Sequence, residues 1–170
     1  RAYTANSAGL GITDMPGYGF AYMNDETRVR CEELILGYLS SRGKSLKRVL
    51  LLIDARHGFK LADKQFLAGL VAHIADPNRN AGMHETAKNL EKIAQEQETT
   101  LETSVHWKLQ IVLTKCDLLE RSELARRLQV IKEEVEVIVP PKLRSELPVL
   151  PVSGLESKGT LALMKALASL

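Results

Sequence analysis

Cysteine is nearly missing from this chain: Cys31 and Cys116 are the two in 170 residues. So few thiols build no disulfide framework, and the expectation is of reduced side chains in an intracellular compartment. Long hydrophobic runs are missing as well. None approaches the roughly 20 apolar residues of a membrane-spanning helix, so no membrane partner is expected. Charge of one sign is lacking: a net charge of +2 does not by itself argue for nucleic acid. No signal-peptide pattern opens the chain, and a first residue Arg1 in place of Met reads as a processed or partial chain. What is present is ordinary for a soluble globular protein, with 45% hydrophobic and 26% charged residues in a length that suits one domain with a continuous core.

In chain order, residues 1–7 are polar and read as loop, and Gly9 to Thr13 as a strand. A helix begins near Asp25 and carries Cys31, Leu34, Ile35, Tyr38 and Leu39, the stripe of an amphipathic helix with one buried face, closed by Gly43. Val49 to Ile53 is continuously apolar and suits a central parallel strand covered on both faces. A helix from about Leu61 to Ile74 follows, with Phe66, Leu67, Leu70, Val71 and Ile74 inward. Residues 76–104 differ in kind, rich in Glu, Gln, Asn and Thr, and read as an insertion at the rim of the sheet. Leu109 to Leu113 is another buried strand, and Ser122 is a candidate N-cap for a helix carrying Leu124, Leu128, Ile131 and Val135. Pro140-Pro141 stops that helix. Val149 to Val152 is the last strand, placed near an edge by its prolines, and Gly159 leads into a terminal helix with Leu163, Met164, Leu167 and Leu170. The expected fold class is α/β, a mostly parallel sheet with helices on both faces.

Three strand ends carry suggestive chemistry. Asp14-Met15-Pro16-Gly17-Tyr18-Gly19-Phe20-Ala21 follows the first strand. Pro16 stiffens this loop, and Gly17 lets the backbone approach a bound group and offer it an N–H. Asp14 is a hard, short carboxylate of the kind that holds magnesium, often through water. Alone, the octet is also an ordinary Pro-Gly turn. Thr114-Lys115-Cys116-Asp117 follows the strand ending at Leu113. The Asp117 carboxylate can accept from both the ring N–H and the exocyclic amine of guanine. That bidentate fit is closed to adenine and discriminates by up to ~10⁴-fold. Lys115 can lay its methylene stem along the base and keep its charge in water. Ser153 and the amide of Gly154, after the last strand, are placed to meet the same base. The tetrapeptide alone reads as a solvated turn; the three loops in this order are a stronger signal than any one.

These motifs resemble the translation-factor-related GTPases, and among them the EngB/YsxC family of ribosome-assembly GTPases. The Pro16-Gly17-Tyr18-Gly19 core looks like that family's third G motif. Ile53-Asp54-Ala55-Arg56-His57-Gly58 with Asp63 is similar to a family stretch. Thr114 to Asp117 and Ser153 with Gly159 match the fourth and fifth motifs. The resemblance covers most of the chain outside 76–104. It implies a P-loop GTPase domain that binds GTP or GDP with Mg2+ and hydrolyses GTP slowly. It also implies a role in maturing the large ribosomal subunit, with ribosomal RNA, ribosomal proteins and other assembly factors as partners. Such a factor would be a monomer off the ribosome.

The departures matter equally. The pattern G-x-x-x-x-G-K-[ST] is absent, either omitted upstream of Arg1 or lost, and with it the phosphate-cradling amides and lysine. The switch threonine falls on Ala2, with Thr4 the nearest hydroxyl. Tyr18 stands where many small GTPases carry a glutamine, and an aromatic ring does not polarise water. Asp54 and Arg56 read as a structural ion pair or an RNA contact, and Trp107 as packing. The basic residues of 42–48 and 121–132 are candidate phosphate contacts or a plain charged surface. Two alternatives stand beside a GTP-dependent assembly factor: a non-catalytic scaffold on ribosomal RNA or protein, and a nucleotide kinase. The polar insertion and weakened switch motif point to a divergent organellar member, in the mitochondrial matrix in preference to a bacterial cytoplasm.

Overall fold

The computed structural model describes residues 2–5, 10–18, 24–75 and 106–168. The expected insertion at 76–104 lies outside them. The chain divides into two compact units, Arg1–Ser41 and Arg42–Leu170.

In the first unit, β1 (Ala2–Ala5) pairs antiparallel with β2 (Leu10–Thr13), Ala2 opposite Thr13 and Ala5 opposite Leu10. The expected loop is therefore corrected at residues 2–5: Tyr3 and Thr4 find ladder partners in Ile12 and Gly11, a pairing that polarity alone does not reveal. The Asp14 loop leaves β2, and α1 (Asp25–Ser41) follows. Asn24 caps α1, its side-chain oxygen accepting from the Thr27 amide at 2.8 Å. Ile35 of the expected stripe is buried, but Leu34 is 57% exposed, since adjacent helical positions point about 100° apart. A 2.7 Å hydrogen bond between the hydroxyls of Thr13 and Tyr38 joins the end of β2 to α1.

The second unit carries β3 (Arg48–Asp54), α2 (Leu61–Ala75), β4 (Lys108–Thr114), α3 (Arg121–Ile138), β5 (Arg144–Pro151) and α4 (Thr160–Ala168). Its strands form a parallel sheet in the order β3-β4-β5. With strands added in one direction, right-handed crossovers place successive helices on one face. α2 and α3 accordingly touch, Lys64 Nζ meeting Glu134 Oε1 at 2.5 Å. Leu67, Leu70 and Val71 of α2 and Ile131 and Val135 of α3 form much of the core, with Leu51, Ile53, Leu109, Ile111 and Leu113 from the sheet. Gln110 and Val112, on the opposite face of β4, are buried too, so the middle strand is covered on both sides. Gln110 is satisfied there by the Arg48 guanidinium at 2.9 Å. The α/β expectation holds, and the five inward residues named for α2 are all buried.

Two local expectations are corrected. β3, read as a central strand covered on both faces from its unbroken apolar run, has β4 as its one strand neighbour among the described residues, and Leu52 is 61% exposed. Composition does not distinguish a strand with two neighbours from one with a single neighbour. Helix α3 starts one residue before Ser122, with Glu120 at the N-cap and no side-chain capping bond. No helix among the described residues is long and apolar enough to cross a membrane.

Candidate functional site

The carboxyl ends of β3, β4 and β5 are tied together residue by residue. Register sets Asp54 beside Thr114. The Thr114 hydroxyl donates to the carbonyl of Ile53 at 3.1 Å, and the Ala55 amide to the carbonyl of Thr114 at 2.9 Å. On the other side, the Val152 amide donates to the Leu113 carbonyl at 2.8 Å and the Cys116 amide to the Val152 carbonyl at 3.2 Å. Thr114, Lys115 and Asp117 thus share one rim with Ser153 and Gly154, as the order of their motifs suggested.

Within this rim, Lys115 adopts a left-handed conformation, φ 58 and ψ 36, rare for a side chain with a Cβ. It turns the chain sharply out of β4 into the single 3-10 turn Cys116–Leu118. The Lys115 ammonium reaches back to Asp54 Oδ2 at 2.8 Å. Asp54 is itself held by Arg56, whose Nε and terminal nitrogen lie 3.0 and 2.7 Å from its two oxygens and whose backbone amide donates at 3.0 Å. The Arg56 bonds first, then Lys115, hold the Asp54 carboxyl well below the usual carboxylate range, against the opposing pull of burial. The ion pair expected for Asp54 and Arg56 is present. Its extension to Lys115 is what sequence reasoning missed; the parallel register of two buried strands is the signal that carried it.

Asp117 is half-exposed and, among the described residues, no cation or amide engages its carboxylate. A free carboxylate at a strand end, beside a lysine whose head group is already anchored, suits a donor–donor edge such as that of guanine. Ser153 is buried at 1% exposure; its hydroxyl accepts from the Glu156 amide at 3.0 Å and its own amide donates to the Lys158 carbonyl at 2.9 Å. It therefore shapes the loop from inside. Gly154 is exposed on the same turn. Gly159, at φ +75, closes the loop so tightly that a Cβ there would stand 2.1 Å from the Pro151 carbonyl oxygen. The neighbouring Cys116 thiol bonds the Leu113 carbonyl at 3.0 Å, and burial pushes its pKa up.

Asp14 and Gly17 belong to the first unit. Asp14 is exposed on the loop after β2, with Gly17 half-buried three residues on. Among the described residues no three His, Cys, Asp or Glu side chains gather as a metal cage. Magnesium does not need one: it is commonly held by one or two carboxylates, waters and substrate phosphates, and the exposed Asp14 carboxylate fits that part.

Comparison with known proteins agrees with this chemistry. No family model matches the chain. It is 46% identical over 59 residues to the probable GTP-binding protein EngB of Sinorhizobium medicae, a stretch that is 35% of this chain and 27% of that protein. The EngB of Bartonella tribocorum is 49% identical over 59 residues, again 35% of this chain and 27% of the relative. That of Rhodospirillum rubrum is 43% identical over 63 residues, 37% and 27% of the respective chains. The match thus spans about a quarter of the length of these relatives, and less of this chain than the motifs suggested. Over this stretch the chain is similar to probable GTP-binding proteins named EngB.

Proposed function

We propose that the protein carrying this EngB-type chain binds GTP and GDP and acts in assembly of the large ribosomal subunit. The observation that carries the nucleotide reading is the hydrogen-bonded rim on which Thr114, Lys115, Asp117, Ser153 and Gly154 stand together, with the Asp117 carboxylate unengaged among the described residues. Asp117 would accept from the ring N–H and the amine of guanine, and Lys115 would cover one face of the base. The Gly17 amide would meet the terminal phosphate. Asp14 would hold Mg2+ through water, and the ion would offset phosphate charge.

The GTP-bound form orders the Asp14 loop and docks on an immature large subunit, and hydrolysis releases it. Tyr18 takes no part in polarising the attacking water, so turnover depends on a metal ion, on another residue or on the ribosomal particle. The test is nucleotide binding and particle association by the full-length protein. GTP is expected to bind far more tightly than ATP, and Asp117→Ala to abolish the preference and the nucleotide-dependent association. Equal affinity for GTP and ATP would overturn the reading. Association with the particle that ignores both nucleotide and Asp117→Ala would favour a non-catalytic scaffold.

A further inference from the structure

We infer that Asp54 is a positioning residue for nucleotide binding: through its 2.8 Å contact with the Lys115 ammonium it holds the lysine stem where the flat face of a purine would lie. This rests on the guanine-nucleotide reading above. Lys115 is 53% exposed, and a long side chain at such a site samples many rotamers before it can cover a base. Three things remove that freedom. The left-handed backbone at Lys115 sets the direction in which its side chain departs. Asp54 sits on β3 directly beside Thr114 in the parallel register, so its carboxylate lies one residue from the lysine Cα. The carboxylate cannot swing away, because Arg56 grips it by its guanidinium and by its backbone amide.

Asp54 Oδ2 receives both Arg56 and Lys115, whereas Asp117 receives neither. The two aspartates of the rim therefore divide the work. Asp117 reads the hydrogen-bonding edge of the base and sets which purine binds. Asp54 never touches the nucleotide and sets how tightly any purine nucleotide binds. Arg56 serves as the second clamp on Asp54, which gives the Asp-Ala-Arg sequence a function beyond a local ion pair.

A double-mutant cycle on the full-length protein tests this, with affinities for GDP, IDP and ADP measured for wild type, Asp54→Asn, Lys115→Ala and the double variant. Each single change is expected to weaken all three nucleotides by a similar factor, roughly 3- to 10-fold, the weight of one preordered contact. The double variant is expected to bind no more weakly than Lys115→Ala alone. A merely structural role for Asp54 would give losses that multiply, and that result overturns the inference, as does a wild-type affinity for Asp54→Asn. Should Asp54→Asn fail to fold, Asp54→Glu, which shifts the carboxylate by one methylene, takes its place under the same criterion. Asp117→Asn is the control: it should redirect preference from guanine to xanthine nucleotides. If it does not, the guanine reading itself has failed; if it does while the cycle multiplies, only the role of Asp54 has.

Discussion

The Cys116 amide donates to the Val152 carbonyl at 3.2 Å, so the loops after β4 and β5 are one hydrogen-bonded piece. A disturbance in either loop should be felt in both. Gly159 offers the sharpest way to cause one. At φ +75 it occupies backbone space that side chains rarely adopt, and an added Cβ would stand 2.1 Å from the carbonyl oxygen of Pro151, next to Val152. The obstacle is backbone, not the end of a flexible side chain. Gly159→Ala is expected to destabilise the protein by about 2 kcal/mol or more. It should also weaken guanine-nucleotide binding, because the Ser153 loop shifts. Urea denaturation checks the first and nucleotide titration the second; an unchanged midpoint would contradict the close approach.

Gly58 makes a similar demand on a side chain. Its φ is +66, and a Cβ would lie 2.4 Å from a guanidinium nitrogen of Arg127, which Glu123 holds at 3.0 Å. Here the obstacle can move. Gly58→Ala should cost about 1–2 kcal/mol from backbone strain and displaced packing together. The same change made in an Arg127→Ala background should cost less, because only the backbone strain remains. Equal costs in the two backgrounds would show that the arginine already gives way freely.

The sequence showed the second unit well because its signals are physical and local. Buried strands of continuous Leu, Ile and Val, and a helix with Phe66, Leu67, Leu70, Val71 and Ile74 inward, state their own environment. The strand ends with their Thr-Lys-x-Asp and Ser-Gly loops followed from that pattern. What stayed hidden depends on neighbours far along the chain. Leu52 looks like a core residue and is exposed, on the face of β3 opposite the buried Leu51 and Ile53, because an apolar run does not show which face is covered. The strand at Ala2–Ala5 forms because Leu10–Thr13 pairs with it, which polar composition disguised. Ser122 has the right chemistry for a cap, yet α3 begins before it, at Arg121, directly after the extended Glu120. The Lys115–Asp54 contact needed the strand register, which residue types alone do not give.

Cys116 lies inside the candidate rim, half-buried, its thiol bonding the Leu113 carbonyl at 3.0 Å. Burial raises its pKa, so the reactive thiolate is scarcer at neutral pH than for a free cysteine. Alkylation of the folded protein by iodoacetamide at pH 7.5 should therefore modify Cys116 slowly. Its rate should rise at a higher pH than that of a free thiol and increase sharply on denaturation. Mass spectrometry of the peptide containing Cys116 reads this directly. Labelling in the folded state as fast as that of a free thiol would contradict the buried geometry.

Asp54 gives the protein a defined acid limb. In the folded state its carboxyl is held well below the usual range, chiefly by hydrogen bonds from Arg56 and then by Lys115. In the unfolded chain it returns to about 3.9. A carboxyl whose folded pKa is depressed contributes stability that is fully present above the unfolded value and is lost as pH falls toward the folded one. Stability should thus show no Asp54 dependence from neutral pH down to about pH 5, and should decline through this group below about pH 4. The cluster is partly open to solvent, with the Lys115 and Arg56 side chains 53% and 45% exposed, so salt should reduce the contribution. Urea denaturation from pH 2.5 to 7 should show a shallower acid decline in Asp54→Asn than in wild type, with the two curves parallel above pH 5. Curves that stay parallel down to pH 2.5 would mean that the clamp on Asp54 does not persist in solution.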